Sequence, residues 1–186
     1  GRQSPYFFNA GLFTDGVAIA KLGQFYAQAI LNANIEFDML YGPAYKGITL
    51  SASTAIALAG FNRNVPFAFN RKEVKDHGEG GLTIGAPVSG KVLIVDDVIS
   101  AGTSVRESIE VIEATGASPC GIVISLDRQE RGTGAESAIQ QIQRDFGLPV
   151  INLFCLDDLV EYLSQKPEMA DNLSRVCKYR EEYGAA

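Results

Sequence analysis

The residues best suited to chemistry stand together at the end of one apolar run. Residues 92–95 are all apolar, and Asp96 and Asp97 follow them directly. A short unbroken apolar run is typical of a strand that is buried on both faces. Carboxylates only accept hydrogen bonds, which suits a ribose diol or a hydrated metal ion. A lone pair of aspartates is more often a turn or a helix cap, so its meaning depends on the residues that follow.

Those residues favour phosphate binding. Residues 100–104 offer backbone N–H groups, three hydroxyls and Gly102 just before a predicted helix. A helix N-terminus attracts anions, because its free N–H groups and its dipole both favour negative charge. Ser104 with Glu107 three residues later predicts a capping box at that helix start. The chain contains neither GxxxxGK[ST] nor GxGxxG, which excludes two common nucleotide loops. Residues 92–104 therefore predict a site for a phosphorylated ribose.

A second segment, residues 70–81, is polar, charged and rich in glycine. Arg71, Lys72, Lys75 and the only histidine, His77, fall within seven residues of an acidic chain. Cationic groups can stabilise a diphosphate leaving group, and glycines let a lid open and close. The alternative is an ordinary solvated loop. A metal role for His77 is disfavoured, because no second His or Cys lies at ligand spacing.

Strand-like and helix-like segments alternate along the chain. This alternation predicts an α/β fold with a mostly parallel central sheet and helices on both faces. In such a sheet the loops at the carboxyl ends of the strands meet at one edge. Residues 42–46, 96–104 and 127–131 follow predicted strands, so they can converge in one cleft. Predicted strands cover residues 37–41, 66–69, 91–95, 119–126 and 149–154, and predicted helices cover residues 17–31, 47–59, 105–115, 135–146, 157–164 and 167–183.

Composition narrows the class of protein. The formal net charge of −6 argues against nonspecific nucleic-acid binding. No apolar run approaches the ~18 residues of a membrane span. Cys120, Cys155 and Cys177 show neither metal spacing nor a disulfide framework, which favours a reducing compartment such as the cytoplasm. The chain opens on Gly1 in an apparent loop, so we expect its N-terminal start to be missing.

These motifs together resemble a known family. Residues 92–104 resemble the phosphoribosyl diphosphate (PRPP) motif of type I phosphoribosyltransferases, in which a hydrophobic strand runs into two acids and a phosphate loop. Residues 71–80 look like the lid of bacterial orotate phosphoribosyltransferases, and residues 4–9, 42–47 and 125–132 agree with that family in the same order. The resemblance spans essentially the whole chain. It implies transfer of the phosphoribosyl group from PRPP to orotate, giving orotidine 5′-monophosphate and diphosphate in de novo UMP synthesis.

The resemblance implies how PRPP would be held. Asp96 and Asp97 would hold the ribose hydroxyls, and residues 100–104 the 5′-phosphate. Mg²⁺ is the expected cofactor, with no direct protein ligand and with the acid pair reaching it through water. In the family the loop at residues 42–47 grips the diphosphate and can carry a cis peptide bond that does not precede proline. The catalytic residues implied are Lys75, Asp97, Lys46 and His77, with Lys75 the most sensitive. The PRPP-binding residues implied are Tyr45, Lys46, Arg71, Lys72, Lys75, His77, Asp96, Asp97, Val98, Ile99, Ser100, Ala101, Gly102, Thr103 and Ser104.

The same resemblance implies an orotate site formed by Phe7, Phe8, Ser100 and Arg128. The aromatic rings would contact the flat base. The guanidinium fork of Arg128 would pair with the orotate carboxylate. The alternatives are core packing for the two phenylalanines and an ion pair between Arg128 and a neighbouring acid such as Asp127.

Assembly and chain organisation are also implied by the family. Its members are homodimers whose lid residues reach the other subunit's site, and neither nucleic acid nor membrane is an expected partner. We expect residues 1–186 to form one domain, with a mobile lid over about residues 72–82 and a small N-terminal hood that is shortened here. The family's substrate-proximal lysine ahead of Gly1 has no counterpart in this chain. Ser100 and Ser104 stand where threonine or alanine is often found, and both keep a short side chain.

Two other functions remain open. A phosphoribosyltransferase for a purine or another base would fit the PRPP loop equally well, but it leaves residues 6–8 and Arg128 unexplained. A non-catalytic regulator that senses PRPP is the second alternative. It would be favoured by an attached DNA-binding domain or a basic face, and this acidic chain shows neither.

Overall fold

A computed structural model describes residues 2–71, 82–100, 102–132 and 134–185. Its core is one six-stranded sheet with helices on both faces. The strands are β1 (Met39–Gly42), β2 (Phe67–Asn70), β3 (Thr83–Gly85), β4 (Lys91–Val95), β5 (Ser118–Asp127) and β6 (Val150–Cys155). The helices are α1 (Gly16–Asn32), α2 (Lys46–Gly60), α3 (Thr103–Ala114), α4 (Ala138–Phe146), α5 (Leu156–Ser164) and α6 (Ala170–Tyr183), with single 3-10 turns at Ala10–Leu12 and Pro167–Met169.

The sheet has the strand order β3-β2-β1-β4-β5-β6. Five neighbouring strands are parallel, and only β3 runs antiparallel, against β2. The predicted α/β class with a mostly parallel sheet is therefore confirmed. β3 was not predicted, because three residues are too few to show a periodicity. Its register, which pairs Phe69 with Ile84, is set by the neighbouring strand.

Strand β4 lies at the centre of two hydrophobic clusters, one on each face of the sheet. Val92 and Ile94 pack with the residues of α3, whereas Leu93 and Val95 pack beneath α1 and α2. All four side chains are completely buried. Burial on both faces explains why the run is uniformly apolar rather than alternating. The strand consequently delivers the two following aspartates to a fixed position.

The start of α3 differs from the predicted capping box. The helix begins at Thr103, and its N-cap is Gly102, whose φ of +75° is a left-handed conformation that glycine adopts without strain. Ser104 does not cap the helix, because its hydroxyl donates instead to Oδ2 of Asp96 at 3.1 Å. The capping prediction was wrong because the carboxylate competes for the same hydroxyl. The predicted stop at Gly116, with φ +82°, is confirmed.

Two smaller features complete the fold. Tyr6, from the N-terminal segment, packs against a third cluster formed by Leu156, Leu163 and Val176 of the last two helices. In the part of the chain that the structure describes, no helix combines the length and the apolar character needed to cross a membrane. The assignment of residues 1–186 to one domain stays a prediction.

Two buried tyrosines differ in how their hydroxyls are satisfied. The Tyr26 hydroxyl donates to the Asp96 carbonyl at 2.8 Å and lies 2.5 Å from Oγ of Ser125. The Tyr41 hydroxyl is buried without a hydrogen-bond partner among the described residues. A buried hydroxyl without a partner costs about 1–3 kcal/mol of desolvation.

We therefore expect Tyr41→Phe to leave the free energy of unfolding unchanged or to raise it by about 1 kcal/mol. Tyr26→Phe, the matched variant, should lower it by about 1–2 kcal/mol because it leaves buried partners unsatisfied. Urea denaturation followed by circular dichroism measures both. Equal losses in the two variants would contradict this interpretation of Tyr41.

Candidate active site

Residues at or just after the carboxyl ends of four strands meet at one edge of the sheet. Lys46, after β1, places its Nζ 2.5 Å from Oδ2 of Asp97, after β4. Asn70, the last residue of β2, accepts a hydrogen bond from the Ala44 N–H at 2.6 Å. Ser125, near the end of β5, donates its N–H to the Asp97 carbonyl at 2.8 Å. The contact between Lys46 and Asp97 confirms that residues 42–46 and 96–104 converge, and residues 127–131 line one cavity with Ile99 and Ser100. Asn70 is a contact that the sequence did not single out.

Both members of the acid pair are buried, with 7% and 5% of their surface exposed. Successive side chains that leave a strand point to opposite sides, so the sheet by itself need bury only one of them. Both are buried here because each carboxylate accepts hydrogen bonds from local donors. Asp96 accepts from the Asp97 N–H at 2.9 Å and from the Ser104 hydroxyl, while Asp97 accepts from the Val98 N–H at 2.9 Å and from Lys46.

A buried pair of hydroxyls lies beneath the acid pair. Tyr26 comes from α1 and Ser125 from β5, and together they support the backbone at Asp96. Sequence reasoning assigned neither residue to the site. The available signal was a serine inside the otherwise apolar run of β5, since a buried hydroxyl needs a partner.

Burial raises the pKa of the Asp96 carboxyl to about 6, and repulsion from Asp97 adds to the effect. Hydrogen bonds from the Asp97 N–H and the Ser104 hydroxyl, and the charge of Lys46, act in the opposite direction. Desolvation dominates because it disfavours the charged form directly. Burial therefore makes the Asp96 carboxyl easier to protonate than an exposed aspartate.

The predicted phosphate loop lines a cavity of about 250 Å³. Its lining combines Asp96 with residues 98–100 and 102–105, so a carboxylate, hydroxyls and the N-terminus of α3 share one space. Gly102 is tightly placed, since a Cβ there would lie 3.3 Å from Cδ1 of Ile142. The arrangement suits an anion next to a hydroxylated group. Ala101, also predicted to bind PRPP, lies outside the described residues.

The two predicted base-contacting rings are placed differently. Phe7 is 66% exposed, and its ring centroid lies 5.7 Å from Nζ of Lys46. Phe8 packs instead against Phe13 and Phe154, with ring centroids 5.9 and 6.0 Å away. The structure thus brings Phe7 to the site edge, while Phe8 makes the core contacts that were its alternative role.

The loop after β1 and the start of the predicted lid complete this edge. The peptide bond between Ala44 and Tyr45 is cis, as the resemblance implied for this loop. The Tyr45 side chain is exposed. Arg71 donates its backbone N–H to the Leu82 carbonyl at 2.8 Å. Lys72, Lys75 and His77, which were predicted to bind the diphosphate, lie outside the described residues.

Arg128 lies in a larger cavity, of about 620 Å³, that shares Ile99 and Ser100 with the phosphate loop. Its guanidinium is paired with Glu130 rather than with Asp127, the neighbouring acid that we considered. Asp127 instead accepts from the Gln129 N–H at 2.8 Å. Sequence reasoning missed Glu130, although it stands only two residues after Arg128.

Comparison with known proteins agrees with this geometry. The phosphoribosyl transferase domain family matches residues 12–143. Orotate phosphoribosyltransferase from Thiobacillus denitrificans is 60% identical over 184 residues, which cover 99% of this chain and 87% of that protein. The chain belongs to the orotate phosphoribosyltransferase family. A second orotate phosphoribosyltransferase, from Laribacter hongkongensis, is 61% identical and covers 99% of this chain and 86% of its own length.

Solved structures extend the comparison. The crystal structure of orotate phosphoribosyltransferase from Francisella tularensis has a TM-score of 0.88 and 39% identity, covering 100% of this chain and 89% of that one. Adenine phosphoribosyltransferase from Thermoanaerobacter pseudethanolicus shares only the fold, with a TM-score of 0.51 and 15% identity over 76% of this chain and 82% of that one. The fold alone therefore does not distinguish orotate phosphoribosyltransferases from enzymes named for another base.

The raised pKa of Asp96 predicts a pH dependence of stability for this family member. Between the unfolded pKa of 3.8 and the folded value of about 6, the folded state binds more protons than the unfolded state. Stability should therefore fall as pH rises through this window, by about 3 kcal/mol at most at ~1.4 kcal/mol per pH unit.

Asp96→Asn keeps the shape of the side chain and removes its titration. We expect the free energy of unfolding of the wild type, relative to this variant, to fall between pH 4 and pH 7 without Mg²⁺ or substrates. Chemical denaturation at several pH values measures the difference. If the difference in free energy of unfolding between the wild type and the variant did not change with pH, burial would not control the pKa of Asp96.

Proposed function

We propose that this chain transfers the 5-phosphoribosyl group from PRPP to orotate, giving orotidine 5′-monophosphate and diphosphate in the de novo synthesis of UMP. One observation carries the proposal. The cavity lined by Asp96 and the phosphate loop is adjacent to the Arg128 cavity, because Ile99 and Ser100 line both. A phosphorylated ribose in one space would thus present its C1′ toward a carboxylate-bearing base in the other. Membership of the orotate phosphoribosyltransferase family supports the same assignment.

Asp96 and Asp97 are the proposed ligands of the ribose hydroxyls, and residues 100–104 of the 5′-phosphate. The acid pair is held by Lys46, Ser104 and two backbone N–H groups, so little reorganisation is needed when a diol binds. Breaking the C1′ bond builds positive charge on the ribose, which nearby carboxylates stabilise. Orotate is already anionic, so the enzyme's task is positioning and charge stabilisation rather than covalent catalysis.

Mg²⁺ is the proposed cofactor. Two buried carboxylates beside a phosphate loop offer the oxygen ligands that this ion prefers. Asp96 and Asp97 would hold it through water. When bound, Mg²⁺ supplies positive charge for the diphosphate and the ribose hydroxyls.

The cationic residues around the site are proposed to bind the diphosphate. Lys46 lies at the loop after β1, and its ammonium is at the site edge beside Phe7. Arg71, Lys72, Lys75 and His77 are proposed to contact the leaving group from the lid, with Lys75 the most important for turnover. Tyr45 is proposed to contact the same group. Lys46, Lys75, His77 and Asp97 form the proposed catalytic set.

Arg128 is proposed to recognise the orotate carboxylate, and Phe7 the flat face of the base. A guanidinium is planar and matches a carboxylate with two parallel hydrogen bonds. Ser100 lies between the two cavities, where it can contact both substrates. Phe8 supports this edge by packing rather than by an exposed ring face.

We also propose that the protein is a cytoplasmic homodimer. The family resemblance supports this assembly. An apolar groove of about 460 Å³ between α1 and α2, lined in part by the exposed Ile56 and Phe61, is a surface that a second copy could cover.

The direct test is the loss of orotate absorbance on mixing the protein with PRPP and Mg²⁺. We expect turnover with orotate, and none with adenine or guanine in its place. Turnover with a purine instead would support the other phosphoribosyltransferase function. PRPP binding without turnover of any base would support the regulator.

Asp97→Asn tests the acid pair. It keeps the shape but removes the charge that faces Lys46, so Mg²⁺-dependent PRPP binding should weaken by at least tenfold, since hydrogen bonds to a charged group contribute about 1.5–3 kcal/mol. Isothermal titration calorimetry measures this affinity. Asp171→Asn, in the exposed first turn of α6, is the control. Affinity equal to that of the wild type would rule out the proposed role of Asp97.

A further inference from the structure

We infer that Glu130 is a positioning residue that orients the Arg128 guanidinium for the carboxylate of the base; the inference rests on the proposed function. Both side chains are mostly buried, with 19% of Arg128 and 14% of Glu130 exposed. Both also line the cavity that shares Ile99 and Ser100 with the cavity of the phosphate loop. Their pairing therefore determines how Arg128 meets a substrate in that cavity.

The pairing uses one particular edge of the guanidinium. Nε and Nη2 of Arg128 both donate to Oε1 of Glu130, at 3.1 and 2.7 Å. A guanidinium has five N–H groups in one plane, so this contact engages its side edge. The end edge carries one N–H of Nη1 and the second N–H of Nη2. That edge has the geometry that accepts a carboxylate with two parallel hydrogen bonds.

Glu130 is itself fixed by two tyrosines from distant parts of the chain. The Tyr6 hydroxyl donates to Oε1 at 2.7 Å, and the Tyr179 hydroxyl of α6 donates to Oε2 at 3.4 Å. The Tyr6 ring also lies 5.0 Å from the guanidinium carbon of Arg128 and packs edge-on to Tyr179. The carboxylate and the guanidinium are thus held on more than one side, which fixes the plane of Arg128 before a ligand binds.

The backbone of the same loop brings the two side chains together. Gln129, between them, has a left-handed φ of +49°. Its side-chain amide exchanges two hydrogen bonds with Asp157, at 2.9 and 3.0 Å. The Ala185 N–H donates to the Gln129 carbonyl at 2.8 Å. An unusual conformation persists where surrounding contacts determine it, and here those contacts place Arg128 and Glu130 within bonding distance.

Two substitutions of Glu130 distinguish an effect of geometry from an effect of charge. Glu130→Ala removes the acceptor, so Arg128 must be ordered by the substrate at the moment of binding. Glu130→Gln keeps a carbonyl oxygen in the same place and should preserve the orientation. We expect the alanine variant to raise KM for orotate about tenfold, because hydrogen bonds to charged groups typically correspond to changes of this size. KM for PRPP should change less than twofold, and the glutamine variant should recover most of the loss.

Discrimination between orotate and uracil is a property that a purely structural role of Glu130 would leave unchanged. Uracil lacks the carboxylate, so its kcat/KM should not depend on the orientation of Arg128. The ratio of kcat/KM for orotate to that for uracil should fall about tenfold in Glu130→Ala, following KM for orotate. Glu136→Ala is the matched control, because Glu136 pairs with Arg144 rather than with Arg128.

Tyr6→Phe keeps the inference testable if Glu130→Ala does not fold. It removes the hydroxyl that donates to Glu130 and keeps the ring beside Arg128, so KM for orotate should rise about two- to fivefold, as expected for loss of one hydrogen bond.

Three results would overturn the inference alone. They are an unchanged KM for orotate in Glu130→Ala, an equal rise in KM for PRPP, and a glutamine variant as impaired as the alanine variant. A wild-type protein that does not turn over orotate would overturn the proposed function and this inference with it.

Discussion

The arrangement of this site depends on two carboxylates held in a mostly buried position at the end of one strand. Asp96 and Asp97 remain buried because hydroxyls, backbone N–H groups and Lys46 replace the water that they lose. A buried charge without such partners would be costly, so the surrounding elements are constrained to supply them. Residues 92–95 of strand β4 can all be apolar because helices cover both faces of the sheet, and the strand ends where polar partners become available.

The need of the buried acid pair for hydrogen-bond partners also affects elements outside the loop that follows β4. The start of α3 uses glycine rather than a serine cap, since Ser104 donates to Asp96 instead. The distant helix α1 contributes Tyr26, whose hydroxyl donates to the backbone at Asp96. Helix α1, which covers one face of the sheet, is thereby hydrogen-bonded to the backbone of the candidate site at the sheet's edge. Tyr26 therefore serves both the packing of the fold and the geometry of the site.

The proposed base-binding side is organised by a second pairing, between Arg128 and Glu130. It joins the N-terminal segment through Tyr6 and the last helix through Tyr179. Both ends of the described chain thus contact the cavity that distinguishes orotate from other bases in the proposed function. The fold itself is less specific, because an adenine phosphoribosyltransferase shares it at 15% identity. In the proposed function, ribose recognition and base recognition rest on different segments that meet at Ile99 and Ser100.

The sequence by itself determined the α/β class, the order of the six helices and of five of the six strands, and the three segments that meet at the carboxyl edge. These follow from local patterns: a uniformly apolar run, alternating segment types, and glycine and hydroxyl residues after a strand. Only the tertiary structure decided which partners those loops have. The burial of both aspartates, the edge strand β3, the separation of Phe7 from Phe8 and the choice of Glu130 over Asp127 depend on side chains far apart in the sequence. Local periodicity carries no information about such contacts, because the distance between two side chains in space is set by the packing of the whole sheet.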